Sequence, residues 1–306
     1  MKTFTNFLKK ATGYMPYRSL GRTGERVSVI GLGGYHIGNI RDFNGSTHII
    51  REALDRGMNF LDNCWSYHDG ESERRMGWAL RDGYRDKAFL MTKFDSRSRE
   101  GATRQIDQSL ERLDTDCIDL IQYHENIRMD DPDKFFEGPV EAVLDAQGAG
   151  KVRYIGFTGH KHPRMHMRML ELADKHGFHF DACQMPINVM DAHYESFAAI
   201  IPEMVKRGIG VIGMKPMGGH DGEILKTGAA TATECLHYAL SLPISTIVTG
   251  IESMSILEQA FNAVQTSSNI SAVLERTKSL AMTGRYEGFK TTTGFDGTYE
   301  NPDWML

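Results

Sequence analysis

Asp62, Tyr67, Lys93 and His124 put a carboxylate, a phenol, an amine and an imidazole at the ends of three consecutive apolar, strand-like runs: NFLDNCWSY (59–67), AFLMTKF (88–94) and CIDLIQYH (117–124). A phenol of ordinary pKa, about 10, is a poor proton donor near neutrality unless a cation stabilises the phenolate it leaves. Lys93 is the candidate cation. A lysine taken out of water needs a counter-charge, and Asp62 on the neighbouring strand is placed to give it. His124, one strand further round, can donate a hydrogen bond to a carbonyl oxygen and orient it. The set suits protonation of a carbonyl oxygen during its reduction; with no nucleophile beside a base, covalent acyl transfer fits poorly. These groups move a proton but supply no electrons, so they imply a nicotinamide cofactor held on later strands. Taken singly, each reads more readily as a turn cap, an interior ion or a packed ring. Their joint occurrence at successive strand ends is what points to a site.

Residues so far apart in sequence meet where parallel strands converge, as at the C-terminal rim of a β/α barrel. The chain carries that rhythm. VSVIGLGGY (27–35) reads as a buried strand and STHIIREALDRG (46–57) as a helix with a Gly stop. The three runs above follow, each with its helical pattern, then VRYIGFTGH (152–160), FDACQMPIN (180–188), IGVIGMKPM (209–217) and STIVTGI (245–251) with theirs. Eight such units close a (β/α)8 TIM barrel in one domain, with a core over about 27–266. The runner-up, a doubly wound open sheet, would carry GxGxxG opening its first helix; GLGGYHIG is instead followed by more loop and reads as a tight turn.

A net charge of -5 with scattered Lys and Arg offers no basic face for nucleic acid, which leaves a small molecule as the expected partner. Cys64, Cys117, Cys183 and Cys235 lie far apart, without zinc-finger or disulfide spacing, and read as reduced, buried thiols. No metal is expected, because His124 with Glu125 and His160 with His162 make only a thin ligand cluster. The N-terminus has no apolar core with a cleavage site, and no stretch approaches the roughly 20 apolar residues of a membrane span, so a cytoplasmic protein is expected.

With these motifs in hand, the chain resembles the aldo-keto reductases over nearly its whole length. MPYRSLGRTGERVSVIGLGGYHIG (15–38) is similar to that family's N-terminal hairpin and first strand, and FLDNCWSYHDGESERRMGWAL (60–80) to its Asp/Tyr signature. LMTKF (90–94) and IDLIQYH (118–124) match its Lys and His strands, and KVRYIGFTGH (151–160) its fifth barrel strand. The resemblance implies a β/α barrel, NADPH or NADH, and reversible reduction of an aldehyde or ketone. It makes Tyr67 the general acid, Lys93 its pKa partner, Asp62 the partner of Lys93, and His124 the orienting group.

The resemblance also assigns cofactor positions. These are Gly34, Tyr35 and Asp62; Thr158 and Gly159, where the family has Ser-Asn; and Gln184. Met214, Lys215, Pro216, Met217 and Gly218 stand where many members have Tyr-Ser-Pro, and Gly250, Glu252, Ser253 and Gln259 complete the set. Met214 can still pack on a ring through its sulfur, and Lys215 can meet a pyrophosphate. The Met-Lys-Pro form resembles a bacterial-type subgroup, some of whose members append a cysteine-rich iron-sulfur segment. The tail here has no cysteine, so no cluster is expected. The family default favours NADP(H). Glu252, standing where NADPH-preferring members place Lys or Arg, instead suits the free ribose of NAD(H), or is a solvated charge at a helix N-terminus.

Tyr35, Trp65, Glu125 and Trp304 are the expected substrate-pocket residues. Segments 125–138 and 282–306 fall outside the repeat and read as substrate loops. Their aromatics, Phe135, Phe136, Tyr286, Phe289, Phe295 and Trp304, are available to wall a pocket or to dock the tail. Asn126, Arg128 and Asp130 hint at a hydroxylated, sugar-like substrate. The alternative to an enzyme is a nucleotide-sensing subunit of the same build that turns over slowly.

Overall fold

The computed structural model describes residues 15–128, 130–193, 196–219 and 222–282. An antiparallel hairpin, β1 (Tyr17–Ser19) and β2 (Arg26–Ser28), precedes eight parallel strands. These are β3 (Ile30–Gly33), β4 (Phe60–Asp62), β5 (Phe89–Phe94), β6 (Ile118–Tyr123), β7 (Val152–Thr158), β8 (Ala182–Pro186), β9 (Gly210–Met214) and β10 (Thr246–Gly250). They close in sequence order, with β10 paired to β3, into the (β/α)8 TIM barrel expected from the strand count.

Twelve α-helices are described in and around the crossovers. In the first half are α1 (Gly34–Asn39), α2 (Phe43–Asp55), α3 (Glu71–Ala79), α4 (Arg99–Leu113), α5 (Asp131–Phe136) and α6 (Pro139–Gly148). In the second half are α7 (Pro163–His176), α8 (Ile201–Lys206), α9 (Glu223–Lys226), α10 (Ala232–Ser241), α11 (Met254–Ala263) and α12 (Ile270–Met282). Their sequence logic is plain in α4, where Ser98 caps the first turn and Ala102, Ile106, Ser109 and Leu113 repeat at helical spacing along the buried face. None of the described helices is long and apolar enough to cross a membrane.

Strands covered by helices outside and by the lumen inside are buried on both faces, and every residue of β5 and β6 is buried. Alternation then sorts the chemistry. Phe60, Phe89, Met91, Leu120, Ala182, Ile212 and Val248 point inward and fill the barrel with Leu20 and Val27 of the hairpin region, which plugs the N-terminal end. Two residues further along the same strands, on the same inward face, stand Asp62, Lys93, Gln122, Gln184, Met214 and Gly250. An apolar lumen thus ends in a polar layer at the C-terminal rim.

Several boundaries differ from the sequence reading. The run 27–35 is broken between β2 and β3, and the segment after it is not loop: 34–39 forms α1, with Gly34 and Ile37 buried. Within 59–67 only Phe60–Asp62 is strand, although Asn63 and Trp65 go on donating to the carbonyls of Met91 and Lys93 at 2.8 and 3.0 Å, so Tyr67 stands five residues past β4. Segment 125–138 contains α5. Its Phe135 is fully buried against Tyr123, Phe178 and Phe180, with centroids 5.0, 5.8 and 5.4 Å away, and Phe136 stacks on His176. Both rings belong to the packing between barrel and helices rather than to a pocket wall. Residues 283–306, with Tyr286, Phe289, Phe295 and Trp304, lie outside the described residues.

Phe135→Ala is therefore expected to cost about 3–5 kcal/mol of stability in urea unfolding, the range for truncating a buried aromatic. An unchanged midpoint with an altered substrate KM would instead place Phe135 at the site.

Candidate active site

Lys93 is the hub of the rim. Its Nζ donates to Asp62 Oδ1 at 2.5 Å and to the Asn63 carbonyl at 2.7 Å, and lies 3.4 Å from Tyr67 Oη. The two side chains of the ion pair are 1% and 5% exposed. Removing two such ions from water costs several kcal/mol each, which a close pair offsets only when its remaining hydrogen-bonding capacity is met. Here it is met: the other Asp62 oxygen, Oδ2, accepts from Gln184 Nε2 at 2.5 Å, so β4, β5 and β8 are tied across the lumen.

Tyr67 arrives on a loop held from below. Arg112 of α4 donates to the Trp65 carbonyl at 2.8 Å and pairs at 3.4 Å with Glu73, a fully buried carboxylate that accepts from Thr92 at 2.7 Å. The same guanidinium lies against Gly70, where a Cβ would stand 2.4 Å from Arg112 Cζ; Gly70 also needs its φ of +83°. His68 and Asp69 take left-handed φ values of 51° and 54°. Outside glycine this is a costly conformation that the surroundings must impose. His68 in turn contacts the Tyr35 carbonyl at 2.8 Å, and the Tyr35 ring meets Tyr67 edge-on at 5.4 Å.

The field around Tyr67 differs from the sequence expectation. A lone Lys93 would lower the phenol's pKa, but that ammonium is neutralised by Asp62. Burial, followed by the carboxylates of Asp62, Glu125 and Asp95 with Cys64 beside them, holds the phenol well above its usual value. Tyr67 is thereby kept protonated.

His124, just past β6, meets the Tyr67 ring edge-on with centroids 6.2 Å apart. Its Nδ1 lies 2.5 Å from Asp95 Oδ1 and 3.2 Å from Cys64 Sγ. Glu125 beside it has a φ of 53° and meets His160 at 3.2 Å. Burial alone would raise the Glu125 carboxyl, but His124, His160 and Lys215 outweigh it and bring its pKa down to about 2. Arg97 clamps the two loops, donating to the carbonyls of Asp95, His124 and Glu125 at 2.8, 2.9 and 2.7 Å. Sequence reasoning singles out neither Asp95 nor Arg97, although Lys93-Phe94-Asp95 places the carboxylate on the lysine's own face by strand alternation.

A phenol, an ammonium–carboxylate pair and an imidazole on one rim is an arrangement able to donate a proton. The model of the aldo/keto reductase family matches residues 29–233. The chain belongs to that family. It is 35% identical over 159 residues, 47% of each chain, to the aldo-keto reductase YhdN of Bacillus subtilis. It is 26% identical over 319 residues, 86% of this chain and 95% of the other, to the L-galactose dehydrogenase of Arabidopsis thaliana. In fold it resembles an aldo-keto reductase of Bacillus halodurans solved in its holo form, with a TM-score of 0.71 at 23% identity over 87% of this chain and 96% of that one.

This aldo-keto reductase has a cleft of about 780 Å³ running from Tyr67 and Asp62 between β9, β10 and β3. Of the expected cofactor positions, Gly34, Tyr35, Asp62, Gln184, Met214, Lys215, Pro216, Met217, Gly250, Glu252 and Gln259 line it. Thr158, Gly159, Gly218 and Ser253 do not, and Ser253 caps α11 instead. His36, unforeseen, lines the cleft beside Glu252 at 3.4 Å and lies so close over Gly250 that a Cβ there would meet its ring at 2.2 Å.

The departure at Gly159 has a steric cause. A Cβ on Gly159 would stand 3.0 Å from the Asn126 carbonyl, 3.1 Å from the His166 ring and 3.2 Å from Asn126 Cβ. Asn126 is buried there and donates to the Thr158 carbonyl at 2.7 Å, so it belongs to this floor and not to an exposed sugar-binding loop. Asp130 pairs with Lys134 on the surface, and Trp65 turns its indole N–H to Gln108 of α4 at 2.8 Å.

His166 completes the floor, its ring 3.2 Å from the Gln184 carbonyl. Burial, only partly offset by backbone hydrogen bonds, brings its pKa from 6.5 down to about 4. The folded chain resists this proton and the unfolded chain accepts it, so the contribution is fully present above about pH 6.5 and is lost as pH falls toward 4. Urea unfolding at pH 7 and pH 5 is expected to show His166→Asn losing about 2 kcal/mol less than the wild type over that interval. Equal losses in both proteins would remove His166 as the cause.

Proposed function

We propose that this protein reversibly reduces an aldehyde or ketone with a nicotinamide cofactor, with Tyr67 as the general acid. The observation that carries the reading is Lys93 Nζ, bonded to Asp62 at 2.5 Å and 3.4 Å from Tyr67 Oη, with the His124 ring beside them. A nicotinamide bound in the cleft would supply the hydride.

The residues present fit that cofactor. Gln184, which lines the cleft, leaves Oε1 buried without a hydrogen-bond partner among the described residues, as does Thr158 Oγ1 on the residue paired with it in the β7–β8 register. Buried polar atoms are rarely left so, and a carboxamide offers both donors and an acceptor to such a group. Met214 supplies a polarizable wall and Lys215 a cation for phosphate. Glu252, with His36 against it, favours the free ribose of NAD(H), while the family default is NADP(H).

The chain's own part is proton management. Tyr67 keeps its proton until negative charge develops on the substrate oxygen, then donates it. The phenolate left behind faces the Lys93 ammonium, which Asp62 pairs and fixes. His124 orients the same oxygen. A sugar-like carbonyl is the substrate class to test first, because a relative matched over 95% of its own length is named for L-galactose.

Tyr67→Phe is expected to bind NADPH or NADH as the wild type does and to lose about 100-fold or more in kcat, since only the donor hydroxyl is gone. Near-normal turnover by that variant would remove Tyr67 from the role. Fluorescence titration with both cofactors gives the companion result: Glu252→Lys should shift the affinity ratio toward NADPH about tenfold or more. An unmoved ratio would make Glu252 a solvated helix-end charge. Tight cofactor binding by the wild type with no turnover on aldehydes and keto-sugars would favour a sensor over an enzyme.

A further inference from the structure

Cys64 Sγ, Asp95 Oδ1 and His124 Nδ1 converge within 4.8 Å of one another behind the reacting face of His124, a grouping that would suit a soft divalent metal. The spacing argues for something else. Nitrogen and oxygen ligands on one tetrahedral zinc, each about 2.0–2.2 Å from the ion, stand more than about 3 Å apart. Asp95 Oδ1 and His124 Nδ1 are instead in direct hydrogen-bond contact, closer than two ligands of one ion would stand.

From this geometry we propose that Asp95 is a positioning residue: it engages the proton on His124 Nδ1, leaves Nε2 to meet the substrate oxygen, and keeps the ring an imidazolium. Its consequence for turnover rests on the reductase reading above; the charge of the ring does not.

Groups from every neighbouring strand end bear on the ring. The segment after β4 brings Cys64 to 3.2 Å and the Tyr67 ring to 6.2 Å. From β5 come Asp95 and the Lys93 ammonium, the latter already tied to Asp62, and Arg97, whose guanidinium is directed to Asp131 and to backbone carbonyls. After β6, Glu125 Oε1 lies 3.9 Å from His124 Nε2. His160 and Lys215 bear on Glu125. Burial would keep an imidazole neutral. Against it stand Cys64, Glu125 and Asp95, and the balance holds His124 well above its usual value, while His124 reciprocally keeps Asp95 low despite its burial. A charged donor makes a stronger hydrogen bond than a neutral one, and it places a second cation beside the oxygen that Tyr67 protonates.

The test follows the ring's charge and its catalytic consequence separately. In histidine-labelled protein, with the His124 signal identified by its loss in His124→Gln, NMR titration should find the wild-type His124 midpoint well above that of an ordinary imidazole. Asp95→Asn, which keeps the shape but removes the charge, should lower the midpoint by one unit or more, and Asp95→Glu should restore most of it. In carbonyl reduction, Asp95→Asn should lower kcat about tenfold or more and move the alkaline limb of its pH profile down with the NMR midpoint, with the cofactor Kd unchanged. A neutral His124 at pH 7 in the wild type would overturn the proposal. So would an Asp95→Asn titration or pH profile that matches the wild type, or stoichiometric zinc retained by purified protein and lost in Cys64→Ser. If the wild type reduces no carbonyl, the reductase reading fails while the titration still decides the charge of the ring.

Discussion

The buried pair of Lys93 and Asp62 is the constraint around which the rest of the rim is arranged. Two ions almost sealed from water survive only as a unit, and removing either would strand the other at a cost of about 3–5 kcal/mol. Their partners come from three strands, because Asp62 ends β4, Lys93 sits near the end of β5, and Gln184 on β8 reaches across to the second carboxylate oxygen. Only a closed barrel brings those ends to one lumen. The hydrophobic plug beneath, from Phe60 and Phe89 down to Leu20 and Val27, closes the opposite end and leaves the polar layer to face the cleft.

Above that layer the chain is held in shapes it would not choose alone. His68, Asp69, Glu125 and Lys215 are non-glycine residues at φ values near +50°, and all belong to rim segments that carry or flank the candidate groups. Each costs on the order of 1–3 kcal/mol and persists because neighbours over-determine it. For the Tyr67 loop those neighbours are Arg112, Glu73 and Thr92. For the Asp95 and His124 loops the shared neighbour is Arg97, whose single guanidinium collects three backbone carbonyls. The barrel supplies position, and these two arginines supply orientation.

What the sequence disclosed follows from periodicity. Inward and outward residues alternate on a strand, so a reactive side chain two steps beyond an apolar one, as Lys93 is beyond Met91, is legible without coordinates. The eight strands and their polar ends follow from that logic. Features fixed by contacts between distant segments do not. Asn126 reads as loop polarity until Gly159, lacking a side chain, makes room for it. Phe135 reads as a pocket wall until Tyr123, Phe178 and Phe180 close on it. The short helix α1 follows a glycine run that locally favours a turn, and it is held by contacts such as Ser72 Oγ to the Gly34 carbonyl at 2.6 Å. The Lys93–Asp62 pairing is foreseeable from adjacent strands, but the field left over once they neutralise each other is not.

That residual field gives the site its division of labour. With Lys93 neutralised, burial and the surrounding acidic groups press Tyr67 to keep its proton, and the same acidic groups press His124 to take one up. One negative environment thus acts in the same direction on a phenol and an imidazole, and in the proposed reaction both would donate to one oxygen. Glu125 escapes protonation although it is partly enclosed, because His124, His160 and Lys215 surround it. Separating the protonation states of close neighbours in this way is how a site assigns acid roles near neutrality. For the reaction proposed above, the same field would make the arrangement directional: the donors would hold their protons while the substrate oxygen is neutral and release them only as charge builds on it, with the Lys93 ammonium facing the phenolate left behind.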